Sequence, residues 1–458
     1  MIKRKLKEIE NMIKGQELNN EYNDVYIKGV STDTRTIKNE QLFIPIIGEN
    51  FDGHEFIKKA IENGAIATLW DKKHPIPDID FPFILVDNTL KAIQNLSKAY
   101  RDQLDIKVVG ITGSNGKTST KDILSSILNT KYKTYKTQGN LNNELGVPLT
   151  LLSLEEDIDF AVIEMGMSSL GEIELLTNLA SPNVAIITNI GTAHLQELKT
   201  KDNIIKAKLE IVKGLKSNGL FVYHGDDRDL KNAVNTLDIP QKQITFGKND
   251  TNDYVVKMLS CNIDGLNFKI KSIDSPKLFL PMLGNHQIFN ASSAIAVARH
   301  FGLSFDMINK GLTNIELTGM RSELIHGNGF DILNDSYNSN PDSTKAALNT
   351  ITSLDNYTQK IIVFGDMLEL GEEEINMHKE IGKKIDFTKI DYLFTFGDLA
   401  KYAAEEAKNK TSKEKVLSFN DKSKLIDTLK EILKDNSIIL LKGSRGMKLE
   451  EIAKNLLS

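Results

Sequence analysis

The run Gly113-Ser114-Asn115-Gly116-Lys117-Thr118-Ser119 has residue types and spacing suited to holding a nucleotide triphosphate. It follows the apolar stretch Val108-Val109-Gly110-Ile111-Thr112 and precedes a helical pattern over 117–129, giving strand, glycine turn and helix N-terminus in that order. Gly113 and Gly116 let the backbone bring its N–H groups up to phosphate oxygens, with Ser114, Asn115 and Ser119 filling the loop and the first turn. Lys117 would neutralise the β- and γ-phosphates, and the Thr118 hydroxyl would ligate Mg²⁺. The strict G-x-x-x-x-G-K-[ST] spacing fails, because Ile111 stands where the first glycine belongs and the glycine comes one place earlier, at Gly110. A plain glycine turn is the alternative; the Lys-Thr pair and its flanking strand and helix speak against it.

Two further groups fall at strand ends, where open parallel sheets place their ligands. Glu164 directly follows Phe160-Ala161-Val162-Ile163 and can reach the metal of a bound nucleotide; His194 lies on the loop after the strand ending at Thr188. A third comes from the helical pattern over 202–215, whose apolar stripe (Ile204, Ile205, Ile211, Val212, Leu215) takes in Lys208 and leaves out Lys206. A lysine on a buried face either snorkels to the surface or loses its proton to desolvation. A neutral amine can take up CO₂ as a carbamate, which would turn Lys208 into an oxygen ligand and complete a two-cation site with Glu164 and His194.

The elements that must position these groups divide the chain into three α/β segments. Residues 1–86 show strands at 41–46, 66–70 and 83–86 and a helix over 54–63, a small α/β module. Residues 87–314 lead from a helix at 90–104 into the loop strand and into apolar strands at 160–163 and 184–188, the pattern of a parallel sheet with helices on both faces. Residues 315–458 open with a hairpin around Gly327-Asn328-Gly329 and then alternate strands (361–364, 392–396, 416–419, 438–441) with helices, an α/β domain of dinucleotide-fold type. At 458 residues, 40% hydrophobic and 26% charged, the composition is that of a globular protein, and a net charge of −5 argues against a broad nucleic-acid or anionic-membrane surface. No apolar run approaches the length of a membrane span, and the basic start Met1-Ile2-Lys3-Arg4-Lys5 lacks the apolar core of a signal peptide, so a cytoplasmic protein is expected. One cysteine, Cys261, allows no internal disulfide.

With the loop, Glu164, the Thr188-Asn189-x-Gly191-x-Ala193-His194 stretch and Ala207-Lys208, the chain resembles the Mur ligases, ATP-dependent amide ligases that build the peptide of peptidoglycan. Further segments are similar to the branch that adds a dipeptide. They are Asp33-Thr34-Arg35, Phe51-Asp52-Gly53-His54, the run 137–148, Asp335 to Ser343, Phe364 to Gly371 and Lys442 to Lys448. The resemblance implies ATP and two Mg²⁺ ions as cofactors, with UDP-N-acetylmuramoyl-tripeptide and D-alanyl-D-alanine joined through an acyl phosphate. It implies that the first domain holds the UDP-sugar, the second ATP and the third the dipeptide. By the family pattern Arg321 and Asp335 meet the nucleotide, His286 and Asn290 lie on its adenine side, and Thr34, Arg35 and Asn140 touch the sugar-peptide substrate. Gln287 stands where the family has asparagine, and His378 has no assignable role and is read as structural or solvated. A folylpolyglutamate synthase is the alternative, since it shares the ATP site; a GTPase is not, since no Asn-Lys-x-Asp segment is present. A monomer is expected, with neither nucleic acid nor membrane as partner.

Overall fold

The computed structural model describes residues 1–192 and 195–457. Three main sheets follow one another along the chain. The first is parallel and in chain order, Val30–Ser31, Gln41–Phe43, Ala65–Asp71 and Phe83–Val86, beside an antiparallel pair, Lys3–Lys5 with Tyr26–Lys28. The expected helix at 54–63 is a 3₁₀ turn, Gly53–Phe56, running into Ile57–Glu62.

The central sheet has nine strands, and its middle sets the site. Lys107–Thr112 lies between Phe160–Glu164 and Val184–Ile187, all parallel, with Ile111 opposite Glu164 and Thr112 opposite Ile187, so three strand ends meet on one rim. Alternate residues face two separate cores: Val108, Ala161, Ile163 and Ile187 one way, Val109, Ile111, Val162 and Ile186 the other. Helices Lys117–Leu128 and Gln287–His300 cover the second face. The sheet is not wholly parallel as the sequence suggested: Tyr254–Asn262, Gly265–Ile270 and Leu278–Leu280 form an antiparallel edge. The link between the first two is too short for a parallel crossover, which needs a dozen residues or more.

The third sheet runs Glu323–His326, Phe330–Asp335, Ser437–Lys442, Gln359–Gly365, Tyr392–Phe396, Val416–Phe419. Its first pair is the expected antiparallel hairpin and the rest is parallel. Between the first two sheets, helix Thr89–Gln103 buries Ile93, Leu96 and Tyr100 in a core that also takes in Leu6 and Ile9 of helix Leu6–Ile13. The join is therefore packed rather than a free linker.

The helix expected over 202–215 is α-helical only for Lys201–Leu209 and tightens to 3₁₀ over Glu210–Gly214. Neighbouring chain causes this. Thr177 Oγ1 donates to the Ile211 carbonyl at 2.9 Å, and Glu210 turns its carboxylate to the N–H groups of Gly171 and Glu174.

Candidate active site

The glycine loop is shaped by what crowds it. Gly113 (φ 153°) and Gly116 (φ 80°) sit where an added Cβ would lie 1.9 Å from Thr188 Oγ1 and 2.4 Å from Asn290 Oδ1. The 188–191 stretch grips the loop: Thr188 Oγ1 donates to Asn115 O at 2.5 Å, Asn115 N–H to Asn189 Oδ1 at 2.8 Å, and Gly191 N–H to Ser114 Oγ at 2.8 Å. Ile111 is fully buried inside the strand, which explains why the first glycine of the usual spacing is dispensable here. Lys117 Nζ donates to Gly113 O at 2.8 Å. Burial pushes its pKa down; Glu164 opposes this and the charge of Arg321 adds to it.

Glu164 is 2% exposed, and its two oxygens accept from Thr118 Oγ1 and Asn142 Nδ2, each at 2.9 Å. A hydroxyl and a carboxylate side by side at a helix N-terminus are the hard oxygen donors Mg²⁺ takes, so these residues fit the ion. Lys208 is buried and Lys206 exposed, as the stripe predicted. Burial, then the nearby charge of Lys117, holds the Lys208 amine well below the usual lysine pKa. Lys208 does not itself line the cavity. His194 lies outside the described residues.

A cavity of about 640 Å³, within the usual size of a small-molecule site, separates this rim from the third sheet. Arg321 and Asp335 line it from that side, together with Tyr337 and Lys442. The Arg321 guanidinium stands 3.8 Å from the Tyr337 ring centroid, and its buried Nε has no partner among the described residues. Asp335 accepts from Lys442 Nζ at 2.8 Å and from Ser322 N–H at 3.1 Å. His286, Gln287 and Asn290 line the other end. Gln287 Oε1 accepts from Asn290 Nδ2 at 2.8 Å, so the glutamine orients the neighbouring amide. Two contacts draw the third segment onto the loop: Asn340 Nδ2 to Asn115 Oδ1 at 2.8 Å, and Thr192 N–H to Asp342 Oδ2 at 3.1 Å.

Thr34, Arg35 and Asn140 do not join this cavity. Arg35 is exposed and pairs with Asp33 at 2.7 Å, and Asn140 is exposed on its loop. Asn142, two places on, is the residue that reaches Glu164. Sequence reasoning also gave no role to Asn189 or Lys442. For Lys442 the signal was present, a charged residue closing an apolar strand as Glu164 does. His378 is structural: its Nε2 accepts from Met367 N–H at 2.9 Å, so the proton sits on Nδ1 and faces Glu374 O.

Among the described residues one other cluster has metal-ligating side chains, Asp52, His54 and His74. The two imidazoles stack with centroids 3.9 Å apart and planes 5° from parallel. Ring lone pairs lie in the ring plane, so two parallel rings do not aim at one ion; each instead meets its own Asp52 oxygen, at 2.6 and 2.7 Å. Burial raises the Asp52 pKa, but the His54 N–H and the two imidazoles outweigh it and hold the group at about 2.

Three family descriptions match the chain: "Mur ligase family, catalytic domain" at 26–101, "Mur ligase middle domain" at 111–298 and "Mur ligase, glutamate ligase domain" at 320–445. A curated relative, UDP-N-acetylmuramoyl-tripeptide–D-alanyl-D-alanine ligase of Bacillus subtilis, is 46% identical over 458 residues, covering 100% of this chain and 99% of its own. Among solved structures, MurF from Acinetobacter baumannii superimposes with a TM-score of 0.88 at 28% identity, covering 100% and 99% of the two chains. MurF ligase from Thermotoga maritima in complex with ADP gives 0.82 at 28% identity, covering 93% and 96%.

Proposed function

The chain belongs to the Mur ligase family, and from that premise we propose that it joins D-alanyl-D-alanine to UDP-N-acetylmuramoyl-tripeptide with hydrolysis of ATP to ADP and phosphate. The observation that carries this reading is the convergence of Lys117, Glu164, Arg321 and Asp335 on one cavity. An oxygen of the tripeptide's terminal carboxylate attacks the γ-phosphorus and ADP leaves; the dipeptide amine then attacks the acyl carbon, losing a proton as phosphate departs. Phosphoryl transfer asks for positioning and neutralisation of charge rather than covalent help from the protein. Lys117 draws on the β- and γ-phosphates and Arg321 meets the γ-phosphate from the opposite wall. Asp335 takes a nucleotide hydroxyl, and His286 and Asn290 flank the adenine. Thr118 and Glu164 would hold Mg²⁺, which would supply fixed positive charge to the reaction.

A second Mg²⁺ would be held by His194 and by a carbamate formed on Lys208, and would add positive charge beside the first. Residues 1–86 hold the UDP-sugar with Thr34 and Arg35, 87–314 hold ATP with Asn140 near the peptide, and 315–458 bring the dipeptide. Among the described residues no helix is long and apolar enough to cross a membrane. We infer separately that the enzyme works as a monomer in the cytoplasm. A folylpolyglutamate synthase is not favoured, because the curated relative matching the whole chain is named for the muramoyl substrate.

Phosphate release by the purified chain, with each substrate omitted in turn, tests the reading. Turnover should need ATP, the muramoyl tripeptide and the dipeptide together. Turnover on a folate and glutamate, with none on the muramoyl tripeptide, would overturn it.

A further inference from the structure

The chain crosses from the central sheet to the third one through residues 314–322, and Arg321 lies near the far end of this crossing. The near end is held by a buried pair of charges, Lys121 and Asp122, and the half-buried Lys136, which the reaction does not use. Asp122, on helix Lys117–Leu128 and 1% exposed, accepts from Thr318 N–H at 2.8 Å and from Lys136 Nζ at 2.9 Å. Lys136 also donates to Glu316 O at 2.8 Å. Lys121, fully buried, donates to Thr137 O at 3.0 Å and stands 3.5 Å from Asp122 Oδ1 and 4.0 Å from Glu164 Oε2. Charges therefore run in contact from the metal-side carboxylate to the crossing. On either side of Arg321 the chain is pinned again, Met320 N–H to Glu323 Oε2 at 2.8 Å and Ser322 N–H to Asp335 Oδ1 at 3.1 Å. These two pinned residues, Met320 and Ser322, take left-handed backbone angles (φ 63° and 52°), which cost a non-glycine residue free energy that the two bonds offset. Buried ionic groups add little net stability over apolar packing, but their directional bonds fix one arrangement.

We propose that Asp122 is a positioning residue which, with Lys121 and Lys136, clamps the crossing segment to the P-loop helix and so sets where Arg321 stands against the transferring phosphate. The proposal rests on the reading of Arg321 given above. It separates two properties. Nucleotide affinity comes from the loop and from His286 and Asn290, which the clamp does not touch, whereas turnover needs Arg321 in register.

The test uses the full chain with Asp122→Asn and, as the variant that leaves the buried Lys121–Asp122 pair intact, Lys136→Met. Turnover should fall on the order of 100-fold in the first and about tenfold in the second, the cost of a displacement near 1 Å at a reacting centre. ADP affinity by calorimetry should stay within about twofold. Backbone exchange across 315–323, followed by mass spectrometry, should quicken in both, a readout that does not depend on activity. In an Arg321→Lys background, Lys136→Met should cost less than about twofold more, because both act through one group. The parent chain's turnover on its substrates is the control that separates failure of the clamp from failure of the functional reading. Unchanged turnover in folded Lys136→Met, loss of ADP affinity in proportion to turnover, or additive losses with Arg321→Lys would each overturn the proposal.

Discussion

Asn340 has two jobs that can be taken apart. Its Oδ1 caps helix Pro341–Thr352 by accepting from Ser343 N–H at 2.9 Å, while its Nδ2 donates to Asn115 Oδ1 in the glycine loop at 2.8 Å. Asn340→Ala removes both: the cap is worth about 1 kcal/mol to the third domain, and the bond across the cavity about 1 kcal/mol to closure. Asn340→Ser keeps an oxygen for the cap but falls short of Asn115. The alanine variant should therefore lower the melting temperature of the third domain by about 2–4 °C, and the serine variant by less than about 1 °C. Both should lose about fivefold in turnover, since 1 kcal/mol shifts the closed population by roughly that factor. Thermal melts followed by circular dichroism, alongside phosphate release, read the two effects separately. Equal melting temperatures for the two variants would refute the capping argument, and a serine variant with full turnover would refute the closure argument.

Lys117→Ala should remove most turnover while leaving the melt unchanged, because among the described residues the side chain bonds only to its own loop carbonyl; near-normal turnover in the folded variant would mean the loop is not the ATP site. Lys208→Ala should lose activity that small carboxylates such as acetate partly restore, and ¹³C-bicarbonate should give a carbamate resonance that vanishes in the variant, while Lys206→Ala stays near normal. In buffer free of CO₂ and bicarbonate, where the amine is unmodified, Lys208 also sets a slope with pH. Its folded pKa is depressed, so below the unfolded value of 10.5 the unfolded chain binds a proton the folded one lacks, and stability rises as pH climbs toward 10.5 by up to about 1.4 kcal/mol per unit. Urea midpoints across the alkaline range should rise in the parent and flatten in Lys208→Met; identical slopes would show a charged, solvated amine. Adding nucleotide and muramoyl substrate together should reduce the radius of gyration by small-angle scattering, since contacts from Asn340 and Asp342 already reach the loop; no compaction would count against closure around the acyl phosphate.

The sequence by itself determined what short-range physics controls. Apolar runs of strand length, glycines where φ turns positive and a Lys-Thr pair at a helix start made the loop legible. Glu164 and the 327–329 hairpin followed from a charge closing an apolar strand and from paired turn glycines. The apolar stripe over 202–215 foretold a buried Lys208 beside an exposed Lys206, although not the 3₁₀ turn that Thr177 imposes. Tertiary structure alone decided which distant residues meet. Asn142 rather than Asn140 turns to Glu164, Asn189 steadies Asn115, Lys442 pairs with Asp335, and Asp122 holds the amide of Thr318. These contacts depend on strand order and on the packing of one sheet against another, which a local pattern does not encode: an aspartate on a helix reads the same whether it faces water or a crossing chain. The same holds for the depth of the Lys208 shift, because burial and the charge of Lys117 act on it only once the fold has brought them together.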